Sequence, residues 1–234
     1  MIDYDWQSMQ DKIYLSVINT GKYQELLQTA PHEEIAPGLS VVAKVRLSNI
    51  NADYMESTLV TNAFLGQMRL TGDEVLEIGQ SNQEKMGFHV IPIREAVLEL
   101  MVKTGVDKEY AESMLAGPQE PPMYVVTTPG IADGAAVLAM KSALDAVHAD
   151  IGDYFIIPSS RHEIIALPTQ SVPAEDIDDL RAIVHQVNAT EVSAEDYLSD
   201  EVYKYDGKCL SLAIPEKVKD YEQEITREPQ YRAM

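Results

Sequence analysis

DYFIIPSSRHEIIALP, from Asp153 to Pro168, is the stretch whose reading decides the fold class. Tyr154 to Ile157 is a short, continuous apolar run, the pattern of a strand covered on both faces. His162 to Leu167 repeats that character four residues later and reads as a second strand lying beside the first. Between them, Pro158 to Glu163 gathers two hydroxyls, a guanidinium, an imidazole and a carboxylate into one connection.

Working outward, the downstream segments alternate between helix and strand. Pro173 opens an amphipathic helix with Ile177, Leu180, Ile183, Val184 and Val187 on one side. Ser193 is placed to cap a short helix through Leu198. Val202 to Tyr205 and Lys208 to Leu212 flank Asp206-Gly207, a pair that tolerates the positive φ angles of a tight two-residue turn, and so read as a β-hairpin. From about residue 215 the chain is highly charged and reads as a solvated tail.

Upstream, Met123 to Thr128 and Ala135 to Ala139 read as strands, the second leading into a helix to about His148. The proline-rich stretch 117–122 reads as a linker or waist. Before it, Pro92 opens a helix with Ile93, Val97, Leu98 and Met101 inward and Gly105 past its end. Asp107 caps the next helix. Thr71 and Glu74 have the spacing of a capping box at the start of a helix carrying Val75, Leu76 and Ile78. Leu39 to Leu47 alternates as a half-buried strand, with Lys44 and Arg46 away from the apolar face. Thr58 to Thr61 reads as a short strand entering the apolar stretch Ala63 to Met68. The opening segment, Trp6 to Ala30, reads as helical from Ile13, Val17, Ile18, Leu26 and Leu27, broken at Gly21. The expected fold is α+β: a mixed or mostly antiparallel sheet packed by helices, ending in a hairpin, within one domain over residues 1–214.

The chain has 234 residues and a formal charge of -20, from 38 acidic against 18 basic side chains. Such a field repels nucleic-acid backbones and anionic membranes, so neither is expected as a direct partner. The single cysteine, Cys209, excludes an internal disulfide and any multi-cysteine metal site, and it fits a reducing compartment. No run approaches the roughly 20 apolar residues of a membrane helix, and no secretory leader opens the chain. A cytoplasmic protein is expected.

Most catalytic signatures are missing. The loop Pro129 to Gly134 contains glycines but neither the spacing nor the lysine of a phosphate cradle, and reads as a turn between strands. In HEIIA, Ala166 stands where a zinc-binding helix needs its second histidine. No cofactor and no metal are expected. Only the loop with Ser159, Ser160, Arg161, His162 and Glu163 carries a functional signal. It reads as a polar turn bonded to local backbone, as a ligand-binding loop, or as part of a Ser–His–carboxylate site, which would need serine and imidazole within hydrogen-bond reach.

The segments Lys12-Ile13 leading to Val17-Ile18-Asn19-Thr20, Pro31-His32, Leu59-Val60-Thr61-Asn62, Gly134-Ala135-Ala136, Asp153 to Pro168, Val187 to Val192, and Leu198-Ser199-Asp200 through Tyr203 to Asp206 together carry a resemblance. The chain resembles a bacterial family of domains of unknown function over roughly residues 6 to 207, most specifically in its PSS-x-HE run. By this resemblance, family members often have a further N-terminal region, which this chain is expected to lack. The resemblance implies a shared fold and a shared polar loop, but no reaction, substrate or cofactor. The leading expectation is a non-enzymatic module binding a protein or a small ligand. The alternatives are a hydrolase or transferase using the Ser159–Glu163 loop, and an acidic nucleic-acid mimic.

Overall fold

The computed structural model describes residues 9–51, 54–117, 121–130 and 132–215. The expected tail and the centre of the expected waist lie outside the described residues. So do the first residues of the expected opening helix.

From Ile13 onward that opening helix is replaced by a strand, β1 (Ile13–Asn19). Ile13, Leu15 and Val17 repeat with period two, but the residues between them, Tyr14 and Ser16, are buried as well. Polar residues with buried partners hide the alternation that marks a half-exposed strand. Beyond β1, helix within this segment is the single turn α1 (Gln24–Leu27), followed by β2 (His32–Ala36).

The long strand β3 (Leu39–Asn51) is the spine of the first sheet. It pairs antiparallel with β1, β2 and β4 (Tyr54–Leu59). Both faces of β3 are covered through Val45, because Ser40 and Val42 are buried along with Leu39, Val41, Ala43 and Val45. The half-exposed strand expected there is therefore covered where β1 runs beside it.

Two capped helices follow. Thr61 caps α2 (Asn62–Met68) by accepting from the Phe64 amide. The capping box at Thr71 and Glu74 opens α3 (Gly72–Met86), with both reciprocal bonds formed. Helix α3 crosses β1 at Gly79, where an added Cβ would stand 2.7 Å from the Leu15 side chain.

A second, six-stranded antiparallel sheet runs in the order β10-β9-β7-β8-β6-β5. Its strands are β5 (His89–Pro92), β6 (Tyr124–Thr127), β7 (Tyr154–Ser160), β8 (Glu163–Pro168), β9 (Tyr203–Tyr205) and β10 (Leu210–Leu212). The pair read from residues 153–168 is β7 and β8, in register Ile156 opposite Ala166 and Ile157 opposite Ile165. The expected C-terminal hairpin is present, but Tyr205 pairs with Leu210, so its loop has four residues rather than two. Asp206 sets that geometry by accepting from the Lys208 and Cys209 amides, both at 2.9 Å.

Helices α4 (Ile93–Lys103) and α5 (Lys108–Met114) form an excursion between β5 and β6. No residue of α4 is buried, and Val97 is not turned inward as its spacing suggests. Ala135 to Ala139, expected as a strand, belong to a buried 3-10 helix (Gly134–Ala139) leading into α6 (Lys141–Ile151). An apolar run of that length lacks the alternation that separates strand from helix. In α7 (Ile177–Glu191) the buried positions are Ile177, Val184 and Asn188. Ile183 and Val187 lie on its exposed flank. The short helix expected after Ser193 is a turn: Ser193 accepts from the Asp196 amide, and no helix continues beyond it.

One core joins the two sheets. Val17, Leu39 and Val41 from the first pack with Tyr154, Ile156, Ile164 and Tyr203 from the second, and with the buried 3-10 helix and α6. Among the described residues no helix is long and apolar enough to cross a membrane.

Candidate functional site

Tyr14 and Ser16 are two residues apart on β1, and Lys44 sits opposite Tyr14 on β3, so all three share one face of the first sheet. That face meets the loop entering the buried 3-10 helix, and there the three side chains converge on Asp133. The Tyr14 hydroxyl donates to Asp133 Oδ2 at 3.0 Å and the Ser16 hydroxyl to Oδ1 at 2.8 Å. Lys44 Nζ donates to both oxygens at 3.0 Å. Asp133 is only 2% exposed. Burial alone would raise its pKa, but the Lys44 ammonium, the Ser16 hydroxyl and Arg161 together hold the carboxyl below its usual value. The same burial, with the Asp133 charge, pushes the Tyr14 phenol up.

Asp133 has a left-handed backbone, φ 60°, which aspartate tolerates better than most residues. Gly134 follows it because space requires glycine there. An added Cβ would overlap the His162 carbonyl oxygen and the Thr127 hydroxyl. Those two groups are themselves bonded at 2.8 Å, and the Ala135 amide donates to the Arg161 carbonyl at 3.0 Å. Thr127, Gly134 and Ala135 are thus tied to the β7–β8 connection.

That connection is the loop singled out in the sequence, and the structure divides its five polar residues into two groups. Ser159 and Ser160 both donate to Glu163 Oε1, at 3.0 and 2.9 Å, and Ser160 Oγ accepts from the His162 amide at 3.0 Å. Serine, serine and glutamate therefore form a closed local network, and neither hydroxyl bonds to the His162 ring. Arg161 and His162 turn instead to Asp196. Arg161 Nε donates to Asp196 Oδ1 at 2.6 Å, its amide donates to the Asp196 carbonyl at 2.9 Å, and His162 Nε2 lies 3.2 Å from Oδ1. Arg161 Nη1 also approaches Asp133 to 3.8 Å. Burial would raise the Asp196 pKa, but bonds from Ser193 and Arg161 outweigh it and hold the carboxyl low. His162 Nδ1 is buried and has no hydrogen-bond partner.

Of the five loop residues, Arg161 lines a pocket. The shared face of β1 and β3 supplies its floor through Ser16, Ile18, Val42 and Lys44. Tyr23 and Leu26 from α1, Leu59 from β4, and Glu195, Tyr197 and Leu198 from the turn before β9 complete the wall. The volume is about 160 Å³, room for several water molecules or one small organic group. Its surface is mostly apolar, with Lys44 and Arg161 as its two cations. Neither Asp133 nor Asp196 lines it.

The turn that closes the pocket is held from three sides. Asn19 Nδ2 donates to the Leu198 carbonyl at 2.6 Å. Buried Asn188 donates to the Ser199 carbonyl at 3.0 Å and to Asp200 at 2.8 Å. Tyr203, whose phenol burial pushes up to about 12, donates to the Pro37 carbonyl at 2.8 Å. Of the segments that carried the sequence resemblance, four reach this pocket, through Val17 and Ile18, Leu59, Arg161 and Leu198. A family of unknown function, DUF5688, matches the chain over residues 2–207. The chain belongs to this family. No curated protein and no solved structure matches it.

In this DUF5688 protein, then, the site residues visible in the sequence are half of an arrangement. Tyr14, Ser16, Lys44, Asp133 and Asp196 are the other half, drawn from four separate parts of the chain. One signal pointed to them: an aspartate before a glycine, Asp133-Gly134, in a loop next to an apolar run. Among the described residues no group of three or more histidine, cysteine or carboxylate side chains is arranged to hold a metal ion.

Proposed function

We propose that this protein is a cytoplasmic, non-enzymatic binding module whose pocket between β1, β3 and the 195–198 turn takes one small ligand. The observation that carries this reading is the composition of the pocket. An apolar wall with a few convergent polar groups is the usual form of a small-molecule site. Here those groups, Lys44 and Arg161, are each fixed from behind by a carboxylate. Fixing a long cationic side chain in advance lowers the entropy lost when a ligand binds. Asp133, with its depressed pKa, marks the same place as electrostatically specialised.

The test is a set of small acidic and neutral organic fragments titrated into 15N-labelled protein. The reading expects amide shifts clustered at Ser16, Tyr23, Leu26, Lys44 and Leu198. Shifts scattered over the surface, or gathered at the exposed helices α4 and α5, would overturn it.

A further inference from the structure

We infer that the ligand of this pocket is a small monocarboxylate with a branched aliphatic or aromatic body; the inference rests on the binding-module reading and assigns its ligand class. Lys44 and Arg161 both line the pocket, while the carboxylates that hold them do not. Lys44 has three N–H donors and Arg161 five. Asp133 and Asp196 engage only part of that capacity. A carboxylate is the small group that best completes such a pair, because charge-assisted N–H···O⁻ bonds are roughly twice as strong as neutral ones.

The surrounding charges limit the ligand to one negative charge. Lys44 and Arg161 supply two positive charges, and Asp133, Asp196 and the exposed rim residue Glu195 supply three negative ones. The local sum is negative, so attraction comes from direct bonds at short range rather than from a broad positive field. A phosphate dianion would meet repulsion that a monocarboxylate meets at half strength. The remaining wall, including Ile18, Leu26, Val42 and Leu59, is apolar and matches a hydrocarbon body rather than a sugar.

The experiment compares isovalerate, isovaleramide and inorganic phosphate by amide shift titration at neutral pH. Isovalerate should shift pocket amides and bind about tenfold more tightly than the amide, the worth of one charge-assisted pair. Phosphate should neither shift those amides nor displace isovalerate. Equal or tighter binding of the amide overturns the carboxylate assignment and leaves the pocket reading intact. Phosphate displacing isovalerate overturns it in favour of a dianion site. Absence of pocket shifts with both isovalerate and its amide overturns both readings. Arg161→Gln should bring acid and amide to similar affinity. If that variant melts early because Asp196 loses its partner, the acid-to-amide ratio of the unaltered protein between pH 7 and about 4 decides: it should approach one as the ligand's carboxylate is protonated, and a constant ratio counts against the inference.

Discussion

Asp133 is the residue on which the two halves of the molecule depend. Removing its charge leaves Lys44, which is partly exposed at the pocket, without its ionic partner. Breaking a fully buried pair costs about 3–5 kcal/mol, which is an upper bound for this one. Asp133→Asn should therefore lower the urea midpoint at pH 7 by a corresponding amount, and an unchanged midpoint would mean the pair is not buried in solution. The pH dependence has a definite sign. The folded-state pKa lies below the ordinary 3.8, so the contribution is fully present above the carboxylate range and is lost as pH falls through the folded-state value. In Asp133→Asn the stability curve should lose part of its slope below about pH 4. The adjacent Gly134 makes a separate prediction. Gly134→Ala forces a methyl group into the space of the His162 carbonyl, and should cost about 3 kcal/mol by the same denaturation assay. At this scale the sequence was legible only where a residue's partner is close along the chain. Ser159, Ser160 and Glu163 bond to one another within four residues. Tyr14, Ser16, Lys44 and Arg161 find Asp133 only through the fold, and a period-two pattern of buried polar residues is indistinguishable from mixed polarity until its partner is placed.

Elements were legible where their signals are local. The capping box at Thr71 and the cap at Asp107 are chemistry within four residues, and both start the helices they announce. The apolar pair β7 and β8 was equally clear, because a run buried on both faces needs no outside partner to be recognised. Element faces were less legible: nothing in the spacing of α4 shows that the protein leaves its apolar residues uncovered. Leu100 on α4 and Tyr110 on α5 are both 61% exposed. Segments with few buried apolar contacts open at low free energy. Amide exchange in α4 and α5 should therefore be faster than in β1, β3, β7 and β8. Exchange in α4 as slow as in β3 would contradict this and show that the helices are held by contacts the free chain does not make. The β9–β10 turn is a sharper case. Gly207 has φ 79°, and an added Cβ would stand 2.7 Å from the His148 ring. Gly207→Ala should cost about 1 kcal/mol or more in a thermal melt.

For the whole molecule, two sheets sharing one core should unfold together. Near-UV and far-UV transitions in urea should coincide; separate midpoints would divide the core that Val17, Leu39, Tyr154 and Ile164 share. The charge of -20 acts on that transition as self-repulsion. Raising salt from about 0.01 M to 0.15 M shortens the screening length from about 30 to 8 Å. The melting temperature should rise over that range, and a fall would mean that attractive pairs outweigh the repulsion. The α+β class and the terminal hairpin were readable at this scale because they follow from element composition and turn chemistry. The pocket was not, since its walls come from β1, β3, β4, the 159–163 connection and the 195–198 turn, and only the packing of the two sheets brings them together.

The central claim is that this pocket binds a small ligand, and closing the pocket without touching its charges tests it most directly. Leu26 lies on its wall, half-buried on the single-turn helix α1. Leu26→Trp should fill the space while leaving Lys44, Arg161 and Asp133 in place. The measurement is the isovalerate-induced amide shift at Ser16, Lys44 and Leu198 in this variant, beside its melting curve. The account predicts a melting temperature close to that of the unaltered protein and shifts that vanish. Shifts of unchanged size at those residues in a folded variant would contradict it.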